Sequence, residues 1–238
     1  MHDIEQYISD AIMEKPYGFT VEGERFYLYP ATLGKMYLMN RVIKQMGINQ
    51  SNLLLNISME ALRLVEEKKD LCVSLIAYYT CSSKKEVDDY DLIEKRIELF
   101  KKELSKEDIA SLLVMVLSFD KTAQIFHYLG IDKEQDRMST VMRVKGKNDK
   151  NNISFGGVSV FGTLIDTACE RYGWTKEYVV WGIDYTSLRI MLADKITSVY
   201  VTDEELKHIP KSALTGVAST IKADDPKNKS IIESMDWK

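Results

Sequence analysis

The apolar positions of this chain switch period twice. Residues 4–14 place Ile4, Ile8 and Ile12 on one side of a short helix. Lys15–Pro16 ends it, because proline disfavours helix in the residue before it. YGFTVEGERFYLYP then alternates: Phe19 and Val21, a turn at Glu22–Gly23, then Phe26 and Leu28. This spacing predicts a β-hairpin, the clearest β element in the chain. After Pro30 the period returns to that of a helix. Met36, Met39, Ile43 and Met46 share a face, and Gly47 is placed to close the helix in the left-handed region.

Helical patterns continue to about residue 143. SMEALRLVEEKK begins at Ser58, a candidate N-cap, and DLCVSLIAYYTC is apolar enough for a buried helix. DLIEKRIELFKKEL is strongly amphipathic, with Ile93, Ile97, Phe100 and Leu104 on one side and an Asp91/Glu94 capping-box-like start. Ser105 caps SKEDIASLLVMVLSF, whose body is apolar nearly all round. KTAQIFHYLG and DKEQDRMSTVMRV complete this half. RVKGKNDKNNISFGG is then rich in basic residues, Asn and Gly and reads as a linker.

Beyond it, Phe161, Leu164, Ile165, Ala168 and Tyr172 share a helical face that Gly173 ends. Thr175 caps a short helix that Gly182 ends. Asp184 or Thr186 starts a third, with Leu188, Leu192, Ile196 and Val199 in register. Thr202 and Glu205 form a capping box for one further turn. The expected fold is mainly α: an N-terminal β-hairpin followed by a helical bundle, then a linker and a smaller C-terminal helical domain. The expected boundaries are 1–143 for the first domain, 144–155 for the linker, 156–210 for the second domain and 211–238 for a polar, mobile tail.

Composition narrows the chemistry. Of 238 residues, 45% are hydrophobic and 29% charged, as in a globular domain; 12 Gly and 4 Pro are too few for a protein of many short strands. The net charge of −4 supplies no general attraction to nucleic acid or anionic lipid. The basic residues Arg143, Lys145, Lys147 and Lys150 have no stacking aromatics among them and read as a solvated linker, so no nucleic acid is expected as a partner. The N-terminal residues lack a basic and apolar signal pattern, and no apolar run approaches the roughly 18 residues of a membrane span. No membrane partner is expected. With Cys72, Cys81 and Cys169 as free thiols, the expected compartment is the cytoplasm.

Familiar catalytic patterns fail residue by residue. His2, His127 and His208 are far apart, without HExxH or a nearby cysteine, so neither metal nor other cofactor is expected. Gly157 and Gly162 have phosphate-loop spacing, but Thr163–Leu164 stands where Lys followed by Ser or Thr is needed; a helix start is the better reading. The acidic pairs, such as Glu66–Glu67 and Asp88–Asp89, sit in polar or capping positions. No catalytic residue is expected.

One stretch stands apart. CERYGWTKEYVVWGIDY holds Tyr172, Trp174, Tyr178, Trp181 and Tyr185, including two of the chain's 3 tryptophans. It is either a core packed with large side chains or a protein-binding face, and helical periodicity does not separate the two. Trp174, just after Gly173, is expected to lock the turn; Trp181 is expected to pack between the flanking helices.

Two regions resemble tail assembly chaperones of long-tailed bacteriophages. GERFYLYPATLGKMYLMNRVIKQ resembles the family's opening, a short β element followed by aromatic–x–Pro–x–Thr–Leu–Gly entering a helix. ERYGWTKEYVVWGIDYTSLRIMLAD is similar to its recurring Gly–Trp–(Ser/Thr) turn, short helix and following Leu-bearing helix. The resemblance implies a non-enzymatic, self-associating assembly factor that binds the tape-measure protein and tail tube subunits in the host cytoplasm and leaves before the virion is complete. It implies that Tyr172, Trp174, Tyr178, Trp181 and Tyr185 serve partner binding. In many such systems a ribosomal frameshift adds the second part; here both parts stand in one chain. The alternatives are a structural component that stays in the particle, and an enzyme or nucleic-acid factor whose site is assembled from scattered residues.

Overall fold

The alternation of residues 17–28 folds as an antiparallel hairpin. In a computed structural model that describes residues 2–118, 122–148 and 157–214, β1 (Tyr17–Val21) pairs with β2 (Glu24–Leu28) so that Phe19 faces Phe26. Glu22 and Gly23 both take positive φ, 47° and 83°, as a turn matching the twist of the strands requires. Before it lies α1 (His2–Ile12). After it follow α2 (Leu33–Met46), α3 (Gln50–Leu55), α4 (Ile57–Tyr79), α5 (Lys84–Val87), α6 (Tyr90–Glu103), α7 (Lys106–Leu117), α8 (Thr122–Leu129) and α9 (Ile131–Asn148). Then come α10 (Val160–Tyr172), a π-helical turn (Tyr178–Gly182), α11 (Tyr185–Ala193), α12 (Asp203–His208) and α13 (Lys211–Leu214). The protein is mainly α, with the hairpin near its N-terminus.

The helix α4 is the centre of the larger core, packing against α2, α6 and α7. Leu64, Val65, Leu75 and Ile76 of α4 are fully buried there with Leu113 of α7. The hairpin adds Val21, Phe26 and Leu28. Phe26 meets the buried Phe100 of α6 edge-on at 5.0 Å, and Phe19 completes the trio at 5.7 Å from Phe100. Aromatic groups in this geometry contribute about 0.5–1.5 kcal/mol per pair beyond the area they bury.

Long cationic side chains close helix ends in this core. Lys68, whose φ of −144° kinks α4, donates to the carbonyls of Gln45 and Met46 at the end of α2 (2.7 and 3.1 Å). Lys35 of α2 donates to the Cys81 carbonyl just past α4, and Arg96 of α6 donates to Thr80 Oγ1 at 3.1 Å. Tyr29, leaving the hairpin, adds an N–H to the Tyr79 carbonyl at 2.9 Å. Lys68 and the Tyr29 N–H satisfy carbonyls that helix C-termini leave open, and the lysines and Arg96 place positive charge at the favourable end of the dipole. Burial lowers the Lys35 pKa to about 8, the cost of holding an ammonium away from water. Glu60 is the acidic counterpart. It is buried, accepts from Arg63 (2.6 Å), Asn49 N–H (2.7 Å) and Asn52 Nδ2 (3.2 Å), and these bonds, Arg63's first, hold its pKa at about 2.

The division in space cuts across the division read from composition. One unit comprises Met1–Leu129 with Phe155–Lys195, and the other Gly130–Ser154 with Ile196–Lys238. A self-standing helical domain over 156–210 is therefore corrected. Residues through Lys195 join the first unit because the apolar face of α10 and α11 needs cover, and α2 supplies it: Leu33 is buried with Ala168, Val179, Ile183 and Leu188. Two backbone links seal this contact, the bridge between Thr32 and Asp184 and the Tyr185 N–H to the Ala31 carbonyl at 2.8 Å. The expected linker is corrected in part as well, since residues 144–148 continue α9; 149–155 lie outside the described residues, as does the tail beyond 214. Within the second unit, Lys145 donates to the Tyr200 carbonyl at 2.6 Å and Arg137 to the Ala213 carbonyl at 3.1 Å. Arg143 and Lys145 are thus helix residues, while Lys150 is outside the described residues and nothing is described of the Lys147 side chain.

Helix caps show where local chemistry decides. Thr32, Ser105, Ser159 and Thr202 cap α2, α7, α10 and α12, the last with its Glu205 box. Asn56 caps α4 in place of Ser58, and Asp89 caps α6 in place of Asp91, each two residues earlier than the pattern suggests. The third helix of the aromatic region stops at Ala193; Leu188 and Leu192 have a core to pack on, whereas Ile196 is 93% exposed. No single described helix is long and apolar enough to cross a membrane.

Candidate partner-binding surface

The aromatic stretch separates into parts that face different ways. Gly173, at φ 65°, ends α10 and turns the chain so that Trp174 stacks on Tyr172 at 4.6 Å. Tyr178 meets Trp174 edge-on at 5.0 Å. Tyr172 also donates its hydroxyl to the Met191 carbonyl at 2.9 Å, tying α10 to α11. Trp174 therefore locks the turn, through ring stacking. Tyr178 is 45% exposed, so this stack has a wet edge.

Trp181 leaves that stack. The π turn, closed by Ile183 N–H on the Tyr178 carbonyl at 3.2 Å, points it at α2. A Cβ on Gly34 would come within 2.8 Å of the indole. Trp181 packs against the larger core around α4. The expectation that it sits between the helices flanking it in sequence is corrected: its seat is the Gly34 notch of α2, far earlier in the chain. Gly182 has a similar duty, since a Cβ there would lie 2.3 Å from Cδ2 of Tyr178. Both glycines are required by ring contact rather than by a left-handed backbone.

Tyr185 belongs to neither group. It is half-buried, its hydroxyl accepts from Arg189 at 2.6 Å, and the Arg189 guanidinium lies over both its ring and that of Phe126. It forms one wall of an apolar groove of about 440 Å3 between α2 and α10. Met36, Tyr37, Ile43, Phe161 and Leu164 are among the other residues that line it. Tyr37 and Phe161 span it with ring centroids 4.8 Å apart. Tyr37 is 67% exposed and Val160 71%, so apolar surface is presented at its mouth. The α2 helix carries Lys35, Arg41 and Lys44 and no acidic residue; Arg41 and Lys44 are exposed.

Of the residues singled out from sequence, Tyr172, Trp174 and Tyr178 come together, Trp181 joins a core, and Tyr185 lines the groove. The α2 wall was not foreseen. Its signal was Tyr37, a large aromatic one residue off the Met36–Met39–Ile43 face. Phe161 and Leu164, on the helical face read from the sequence, pack against the second core cluster and also wall the groove.

His127 and His208 are exposed on separate helices, Cys72 and Cys81 are buried, and burial pushes the Cys72 thiol up to about 11. Gly157 and Gly162 form a helix start, with Ser159 Oγ accepting the Gly162 N–H at 3.1 Å. Among the described residues no group of three His, Cys, Asp or Glu could hold a metal ion. No protein-family model, curated protein or solved structure matches this chain.

Proposed function

We propose that this protein is an assembly factor of the phage tail assembly chaperone type, acting in the host cytoplasm by holding an apolar helical segment of a larger partner, the tape-measure protein. The observation that carries this reading is the open groove between α2 and α10. It is apolar, its α2 wall lies in the first region that bears the family resemblance, and Tyr185 of the second region lines it. A groove of this kind takes the apolar face of an amphipathic helix, read at i, i+3, i+4 and i+7. The exposed Arg41 and Lys44 of α2 favour a helix with acidic flanks. Tyr185 lies in the groove, and the stacked Tyr172, Trp174 and Tyr178 supply a further aromatic surface. The chaperone reading also expects self-association.

The test is co-expression with the tape-measure protein of the same genome, followed by size-exclusion chromatography. The two are expected to co-elute, and Tyr37→Ala with Phe161→Ala to abolish this while leaving the melting curve in place. Failure of the parent to co-elute counts against the reading. Recovery of the chain in purified, finished particles replaces it with that of a structural component.

A further inference from the structure

A second cavity, of about 350 Å3, lies within the same unit between the end of α1, the hairpin's flanking prolines, the end of α7 and the start of α11. Its polar wall includes Asp10, Lys15, Asp184 and Thr186. Asp184 is 4% exposed. Its Oδ1 caps α11, accepting the Ser187 N–H at 3.0 Å. Its Oδ2 is buried and has no hydrogen-bond partner. A buried carboxylate oxygen without a donor is costly, and structures keep few of them without a reason.

The surrounding charges do not answer it. Lys15 pairs with Asp10 at 3.3 Å, at a well-exposed position. Glu14, held at φ 48°, lies close enough to accept the Asp184 N–H at 3.4 Å. Desolvation raises the Glu14 pKa, and the neighbouring Asp184 side chain, by its charge and by hydrogen bonding, adds to it against the lowering effect of that N–H. The one cation in the cavity's lining among the described residues, Lys15, is paired with Asp10. The other walls, including Pro16, Tyr17 and Met115, are apolar.

We propose that this cavity binds an alkylguanidinium cation, whose N–H groups donate to Asp184 Oδ2 while its aliphatic stem lies against Pro16, Tyr17 and Met115. A guanidinium suits the site better than an ammonium, because its planar fork can reach two carboxyl groups and it gives up its hydration more readily. The volume admits such a group with its stem, either as a small molecule or as an arginine side chain of another protein. This assignment does not depend on the groove between α2 and α10.

The experiment is calorimetric titration of the full chain with butylguanidinium chloride and, separately, with the peptide acetyl-Ala-Arg-Ala-amide. A Kd of about 1 mM or tighter is expected for at least one probe. Asp184→Asn keeps an oxygen for the Ser187 N–H and so keeps the cap; it is expected to weaken binding at least roughly tenfold, as loss of a buried charge partner does. Ala11→Leu, which narrows the cavity without changing charge, is expected to weaken it too and serves alone if circular dichroism shows Asp184→Asn unfolded. Tighter binding of the peptide identifies a partner's arginine as the ligand; binding of the free cation alone identifies a small molecule. The proposal is overturned if neither probe binds the folded parent, or if a folded variant binds as the parent does.

Discussion

The core around α4 and the groove between α2 and α10 use the same kinds of side chain to opposite ends. Around α4, Phe19, Phe26 and Phe100 close on one another and Phe100 is wholly buried. Across the groove, Tyr37 and Phe161 also meet, at 4.8 Å, yet Tyr37 stays mostly in water. Ring contact alone therefore does not make a core. What separates the two is the third partner: the hairpin is laid over Phe100, whereas no described element covers Tyr37. Trp181 stands between these cases, half-buried in a notch of α2 and joined to the larger core.

Substitutions can sharpen or break that contrast. Phe100→Ala has the largest expected effect, a loss of about 3–5 kcal/mol, because a fully buried aromatic leaves a cavity that its surroundings fill poorly; urea denaturation measures it. Acid comes next. The Glu60 carboxyl titrates at about 2 in the folded protein against 4.5 ordinarily. A lowered folded pKa contributes stability above the unfolded value and loses it as pH falls below 4.5 toward 2. Thermal melts across that window are expected to show a steep decline that flattens in Glu60→Gln, which is less stable at neutral pH; an unchanged slope would assign the decline to other carboxyls.

At the seam, Gly34→Ala forces a methyl against the indole and is expected to cost about 1–3 kcal/mol, as overpacking does. In a double-mutant cycle with Trp181→Ala the two losses are expected to fall short of additivity, since the clash needs both partners; additive losses would mean that Trp181 is not seated on Gly34. Tyr37→Ala is the mildest, within about 0.5 kcal/mol in stability, as for other exposed positions. A loss above that, read by the same denaturation series, would make Tyr37 a core residue and remove the contrast.

Much of the local structure was legible from residues alone. The hairpin with its Glu22–Gly23 turn, the Gly47 and Gly173 stops, and the Ser105 and Thr202 caps all depend on contacts within a few residues. The two misplaced caps mark the limit of that logic. Asn56 and Ser58 are both good caps, and the winner depends on how α3 hands the chain to α4. Long-range features were not legible. The seat of Trp181 at Gly34, the joining of α10 and α11 to α2, and the unpartnered Asp184 oxygen all arise between residues more than a hundred positions apart or from what packs around them. The aromatic stretch was visible in the sequence and its division was not, because a π turn redirects one tryptophan without leaving a periodic trace.

The first unit is completed only by chain made after a long excursion, since α2 lies near residue 40 and its cover, α10 through α11, ends at Ala193. At synthesis rates of about 5–20 residues per second, a nascent chain exposes the Gly34 notch and the Leu33 side chain for something like ten seconds before Trp181 and Leu188 exist to fill them. A product halted anywhere before α10 would keep that face bare for its whole lifetime. The same sequence, read to two different lengths, would thus yield one molecule with a groove and another with only half of its walls.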